Sequence, residues 1–144
     1  MEGILEYIAV RPAAKADVAI KEEAILLTAA GIEGDHYGKS GEREVTLIQA
    51  EHLEEVGRVL GKPIEKGITR RNLVVRGLNL REYKNQSIKI GDVILEVTGD
   101  CHPCSRMDLV LGPGGLKAMA GRGGITARVI QGGTVRTGDP ITPL

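Results

Sequence analysis

Chemistry is densest in this sequence at Cys101-His102-Pro103-Cys104, where two thiols three positions apart flank an imidazole and a proline. That spacing admits three chemistries. A redox dithiol needs its nucleophilic cysteine where backbone N–H groups stabilise a thiolate. Cys101 follows Val97-Thr98-Gly99-Asp100, the exit of a strand candidate, which is such a place, but no long amphipathic helix of a βαβ unit comes after it. A structural zinc site needs four sulfur or imidazole ligands. The chain offers two cysteines and three histidines, His36 and His52 lie far upstream, and His102 sits between the two thiols. The third chemistry uses one soft thiolate, either to ligate a soft metal or to carry a sulfur atom. Pro103 restrains the backbone immediately before Cys104, so Cys104 is the better presented thiol.

Two further groups of residues have the types that bind or orient charge. Arg70-Arg71-Asn72 precedes a strand candidate. Arginine holds a phosphate or carboxylate through two parallel hydrogen bonds, and asparagine adds a donor and an acceptor. Asp35-His36 lies in the glycine-punctuated stretch Gly31 to Gly38, where a carboxylate beside an imidazole can fix its tautomer. A turn aspartate beside a half-exposed histidine is the structural alternative. Gly112-Pro113-Gly114-Gly115 lacks the Lys-Ser/Thr of a phosphate loop, and Gly121-Arg122-Gly123-Gly124 lacks the strand and helix of a dinucleotide fingerprint, so no nucleotide cofactor is expected. His52 lies in a helix with no assigned role, and Met107 and Met119 are read as apolar filler.

These residues must be positioned by a β-rich chain. It has 144 residues, 20 glycines, three tyrosines and neither Phe nor Trp, so aliphatic side chains fill the interior and glycines mark the turns. Strands are expected at Gly3 to Val10, Val18 to Ile20, Ala24 to Thr28, Glu44 to Ile48, Asn72 to Val75, Ile125 to Ile130 and Thr134 to Arg136. Ser87 to Val97 reads as a hairpin turning at Gly91-Asp92. The clearest helix is Gln49 to Leu60, with Ala50, Leu53, Val56, Gly57 and Leu60 on one face and Gly61 as its stop. Short helices fit Met107 to Leu111 and Leu116 to Ala120, and Gly138-Asp139-Pro140 closes the last turn. The expectation is one domain over residues 1–144, mainly β with short helices, closed or barrel-like.

Charge and composition narrow the partners. Basic and acidic residues balance at 19 each, which argues against a nonspecific nucleic-acid grip. The balance is local in neither half: Gly31 to Glu55 holds seven acidic and two basic residues, Val56 to Lys89 nine basic and two acidic, and Cys101 to the end five basic and two acidic. The second half therefore has arginines enough to line an anion site. No stretch approaches the roughly 20 apolar residues of a membrane span, and nothing at the amino terminus reads as a signal peptide, so the expected location is the cytoplasm. A homodimer is compatible with such a domain, without a register for its interface.

Gly31-Ile-Glu-Gly-Asp-His36, Glu44-Val-Thr-Leu-Ile-Gln-Ala-Glu51, Arg70-Arg-Asn72, Ile90-Gly-Asp92, Pro103-Cys104 and Gly132-Gly133 through Gly138-Asp139, in this order, resemble the MOSC family, named for the carboxy-terminal domain of molybdenum cofactor sulfurases. The likeness runs from about Gly3 to Pro143 and suits a free-standing small member. It implies a MOSC-type β-barrel, the molybdenum cofactor (molybdopterin), and a cysteine used in cofactor sulfur transfer or in molybdenum-dependent reduction of N-hydroxylated compounds. The family cysteine falls on Cys104, which would be the molybdenum ligand or sulfur carrier. The Gly-Asp-His element falls on Gly34, Asp35 and His36, and the Arg-Glu-Asn-like stretch on Arg70, Arg71 and Asn72, with Arg71 where an acidic residue is frequent. A pterin ending in a phosphate needs basic donors, for which Arg70, Arg71, Arg106, Arg122 and Arg128 are the candidates. Reduction or sulfur transfer would require an electron-transfer protein or a sulfur donor, since the chain carries no iron–sulfur or flavin segment. Two other functions stay open: a non-catalytic cofactor or sulfur carrier, and a Cys101/Cys104 dithiol switch.

Overall fold

A computed structural model describes residues 3–13, 17–36, 41–103 and 106–144. Strand β1 (Gly3–Val10) is followed by β2 (Ala19–Lys21), β3 (Glu23–Leu27), β4 (Gly31–Ile32), β5 (Val45–Gln49), helix α1 (Ala50–Leu60), β6 (Leu73–Arg76), a 3-10 turn (Leu80–Tyr83), β7 (Ser87–Ile90), β8 (Val93–Asp100), α2 (Arg106–Leu111), α3 (Gly115–Ala118), β9 (Ile125–Gln131), β10 (Gly133–Arg136) and β11 (Pro140–Pro143). The strand order β11-β7-β8-β9-β5-β6-β1, with β11 also pairing β1, closes a seven-stranded barrel. Strand β2 extends β1 outward, and β10-β3-β4 form a separate small sheet.

The strand period of two sorts the side chains. Leu5, Ile8, Leu47, Leu73, Val75, Ile88, Ile90, Leu95, Val97, Ala127 and Ile141 fill the barrel, and Ala24, Leu26, Ile32 and Val135 of the small sheet join the same core. Tyr7, Ala9, Ile48 and Val74 point the other way, where Leu53 and Val56 of α1, Met107 and Leu111 of α2 and Met119 form a second core on the outside of the wall. A register slip between Leu5 and Tyr7 lets β1 serve both cores.

Strands β5 and β6 are parallel, which requires a crossover, and α1 supplies it. The helix ends on Gly61, whose φ of 71° is left-handed and whose N–H donates to the Gly57 carbonyl. The expected hairpin is present, with Ile90 opposite Val93 across Gly91-Asp92. Three expectations change. Gly31 and Ile32, read as the start of a loop, pair with β3. Leu80–Tyr83 forms an unanticipated turn of 3-10 helix. Pro140, read as closing the last turn, opens β11, which completes the barrel. Among the described residues no helix is long and apolar enough to cross a membrane.

Candidate functional site

Arg70, Arg71 and Asn72 enter β6 through a tight turn in which the Ile68 N–H donates to Glu65 O and the Arg70 N–H to Gly67 O, at 3.2 and 3.0 Å. Arg70 has φ 60°, a left-handed conformation unusual for a non-glycine residue and of the kind that clusters at functional sites. The kink sends three consecutive side chains to three places. Arg70 lines a cleft of about 640 Å³ together with Tyr7, Lys66, Glu65 and Arg106. Arg71 turns inward, 7% exposed, and donates from Nε to Gly123 O at 2.8 Å and from Nη1 to Thr69 O at 3.1 Å. Asn72 is fully buried: its Oδ1 accepts from the Thr46 N–H and hydroxyl at 3.0 and 3.1 Å, and its Nδ2 donates to Ala9 O at 3.1 Å. It stitches β1, β5 and β6 together just ahead of the Leu47–Leu73 pairing.

The carbonyl that Arg71 holds belongs to the floor under the cysteine segment. A Cβ on Gly123 would overlap Cys101 O and lie 2.9 Å from Pro103 Cδ, so only glycine lets the two segments touch. The Cys101 N–H donates to Gly124 O at 2.9 Å. Cys101 is a free thiol, 1% exposed, at the exit of β8. Cys104 lies outside the described residues. Before it in the chain, His102 and Pro103 wall a small cleft of about 160 Å³ with Arg81, Asp100 and Cys101. After it in the chain, Arg106 opens α2 and lines the larger cleft with Arg70.

Asp35 and His36 both meet Arg11, through different groups. The Asp35 carboxylate accepts from the Arg11 N–H at 2.8 Å, Nε at 3.0 Å and Nη2 at 2.7 Å, and the two side chains are 0% and 7% exposed. Burial pushes the Asp35 carboxyl up, but the hydrogen bonds and charge of Arg11 more than reverse this and hold it below the usual carboxylate value. Arg11 also reaches Asn72 Oδ1 at 3.3 Å, so Asp35 is tied to the strand that starts at the arginine pair. His36 is exposed, and its N–H donates to Arg11 O at 2.7 Å.

The remaining arginines lie elsewhere. Arg122 donates to Glu55 Oε2 of α1 at 2.8 Å and to Ala118 O at 2.9 Å. Arg128 on β9 faces Glu96 of β8 at 3.7 Å. Neither lines the cleft that holds Arg70 and Arg106. No cluster of three or more His, Cys, Asp or Glu able to hold a metal occurs among the described residues. Sequence reasoning did not single out Arg11, Lys66 or Tyr7. Arg11 did leave a signal, a charge between an apolar strand and Pro12. So did Tyr7, one of three aromatic residues in the chain.

The comparisons with known proteins agree with this architecture. The YuaD protein from Bacillus subtilis superposes with a TM-score of 0.86 at 20% identity, over 98% of this chain and 94% of that one. YiiM from Geobacillus stearothermophilus gives 0.81 at 19% identity, over 99% and 75%. YiiM from Escherichia coli gives 0.73 at 20%, over 98% and 69%. At these identities the likeness establishes the fold. No curated protein sequence matches this one. The model of the MOSC domain family matches residues 33–142, which takes in Asp35, the Arg70–Asn72 turn, the cysteine segment and the closing strand: the chain belongs to the MOSC domain family.

Proposed function

We propose that this protein binds the molybdenum cofactor in the cleft between Arg70 and Arg106 and uses Cys104 as its soft ligand or as a sulfur carrier. The observation that carries the reading is the convergence of Lys66, Arg70 and Arg106 on one cleft of about 640 Å³, with Cys104 two positions before Arg106 in the chain. A cleft of that size suits an organic cofactor. Arg70 and Arg106 offer an anion guanidinium donors, Lys66 being paired with Glu6 at 3.3 Å, and Val18, Ile68 and Val110 give the cleft an apolar wall. The donor set therefore fits a pterin that ends in a phosphate. Molybdenum would arrive with its pterin ligands and take from this chain a thiolate.

When bound, the cofactor would supply two-electron redox chemistry or a site for exchanging sulfur. The chain's own residues would bind and orient. Arg70 and Arg106 would hold the anionic end. Arg71, by fixing Gly123, would set the floor on which Cys101 to Pro103 rest and so the approach of the next residue, Cys104. Asp35, with Arg11, would anchor the start of β6 behind the arginines. Reduction of an N-hydroxylated compound would consume two electrons from a separate protein, and sulfur transfer would need a separate donor. The burial of Cys101 supports a single working thiol over a dithiol switch.

Anaerobic reconstitution followed by molybdenum and pterin analysis tests this reading. The wild type and Cys101→Ser should retain cofactor, and Cys104→Ser should lose nearly all of it, or all sulfur transfer, at matched circular dichroism. Retention without turnover, with donors supplied, would mark a carrier. No retention by the wild type, where a positive-control protein retains cofactor, would refute the proposal.

A further inference from the structure

Tyr7 is about nine-tenths buried, with its ring in the outer core beside Ala9 and Val74, yet its hydroxyl has no hydrogen-bond partner among the described residues. The ring is enclosed, but the oxygen is not one of the enclosed polar atoms that lack a partner, and a phenolic hydroxyl open on one side takes water or a ligand as its partner. This one opens on the cleft that also holds Lys66, Arg70 and Arg106. The register slip in β1 puts it there, because it turns Tyr7 out of the barrel while Leu5 and Ile8 stay inside.

Gly67 faces the same hydroxyl. A Cβ on Gly67 would overlap the Tyr7 oxygen and come within 3.1 Å of Val18 Cγ2. The backbone of Gly67 is not left-handed, so its conformation is open to other residues. Space for the hydroxyl is what the missing side chain provides.

We propose that Tyr7 is a ligand-contacting residue of this cleft, donating from its hydroxyl to an organic oxyanion held by Arg70 and Arg106, and that Gly67 keeps the donor open. The inference rests on the reading of this cleft as the binding site. Burial, and after it the charge of Glu65, push the phenol pKa up, so the group is a neutral donor at physiological pH. A neutral donor adds a directed hydrogen bond where the guanidinium groups add charge, and Val18, Ile20 and Val110 would take the apolar body of the ligand.

Phenyl phosphate is the probe, with inorganic phosphate for comparison, in isothermal titration of the full chain. The wild type should bind phenyl phosphate saturably and more tightly than phosphate. Tyr7→Phe, which keeps the ring and the fold, should weaken phenyl phosphate about tenfold, the usual effect of one hydrogen bond to a charged group. Gly67→Ala should weaken it at least as much. The double variant Tyr7→Phe/Gly67→Ala should bind within about twofold of Tyr7→Phe alone, because without the hydroxyl the added methyl group meets only the far end of the Val18 side chain, at 3.1 Å. Arg106→Ala should abolish binding. If Arg106→Ala abolishes binding while Tyr7→Phe leaves it unchanged, the role of Tyr7 is overturned and the cleft stands as an oxyanion site. If the wild type shows no saturable binding, or Arg106→Ala leaves it intact, the cleft reading fails and this inference fails with it.

Discussion

Asp35→Asn is the substitution whose cost the structure defines best. It keeps the shape of the side chain and one acceptor oxygen, but removes the charge that a guanidinium 7% exposed meets at 2.7 Å. Three donors of Arg11 converge on that carboxylate. Removing one partner of a buried ion pair costs about 3–5 kcal/mol, since the other is left charged and uncompensated. The retained oxygen places Asn at the lower end, about 3 kcal/mol, or a fall in Tm of about 10 °C for a chain of this length. Arg11→Met/Asp35→Leu removes both charges and should recover much of the loss. The pH dependence has a definite sign. The folded carboxyl titrates below its unfolded value of about 3.9, so its stabilisation is complete above about pH 5 and is lost as the pH falls through the folded pKa, because the unfolded chain takes up the proton first. Other carboxylates held low, such as Glu6 and Glu54, are common to both proteins and cancel in the difference. Urea unfolding of wild type and Asp35→Asn at pH 7, 5, 4, 3 and 2 should show a gap that is constant down to about pH 5 and shrinks below it. A gap under about 0.5 kcal/mol at pH 7, or one that stays flat or widens in acid, would refute the buried-pair argument.

Gly123→Ala should lower stability by about 1–3 kcal/mol in urea unfolding, the usual cost of forcing extra volume into a packed contact, and should increase alkylation of Cys101 by lifting its segment. His52, half-buried on α1, should titrate below its ordinary 6.5 in an NMR pH series, because burial favours the neutral ring; Glu55→Gln should lower the midpoint further by removing a carboxylate that raises it. Arg128→Ala should leave cofactor retention and phenyl phosphate binding within twofold of wild type, whereas Arg70→Ala should weaken both at least tenfold, read by the same reconstitution and titration.

Helix α1 and the β7–β8 hairpin are legible in the sequence because each is decided locally. A 3.6-residue apolar face ending on Gly61 specifies the first, and a period of two broken by Gly91-Asp92 the second. Closure of the barrel is not local. It depends on β11, which begins at Pro140, a residue without an N–H that follows Gly138-Asp139 and so reads as a turn, while Ile141 beside it is buried among the barrel strands. The candidate site divides in the same way. Arg70 and Arg106 are recognisable as anion-binding types, but their convergence depends on a left-handed residue and on a helix start 36 positions later. Arg11 could not be paired with Asp35 from the sequence, because the contact spans 24 residues and joins a strand end to a loop. The same contact engages the Asp35 carboxylate, which the sequence alone offers as a partner for His36. Tyr7 reads as an ordinary strand residue, since nothing local announces the register slip that turns it outward.

The three residues Arg70, Arg71 and Asn72 adjoin in sequence but make three separate sets of contacts. A strand entered in ordinary extended conformation would place alternate side chains on opposite faces, and two of the three would share one environment. The left-handed φ at Arg70 breaks that alternation. Asn72 then locks the start of β6 to Thr46 and Ala9, which fixes where the turn emerges from the barrel wall. Arg71, held by that anchor, spans to Gly123 and sets the height of the Cys101–Pro103 segment. Arg70 is left lining the cleft that Arg106 also lines. The wall, the Cys101–Pro103 segment and Arg70 are thus referenced to one turn. A displacement of this turn would shift Arg70 and, through Arg71 and Gly123, the Cys101–Pro103 segment with it.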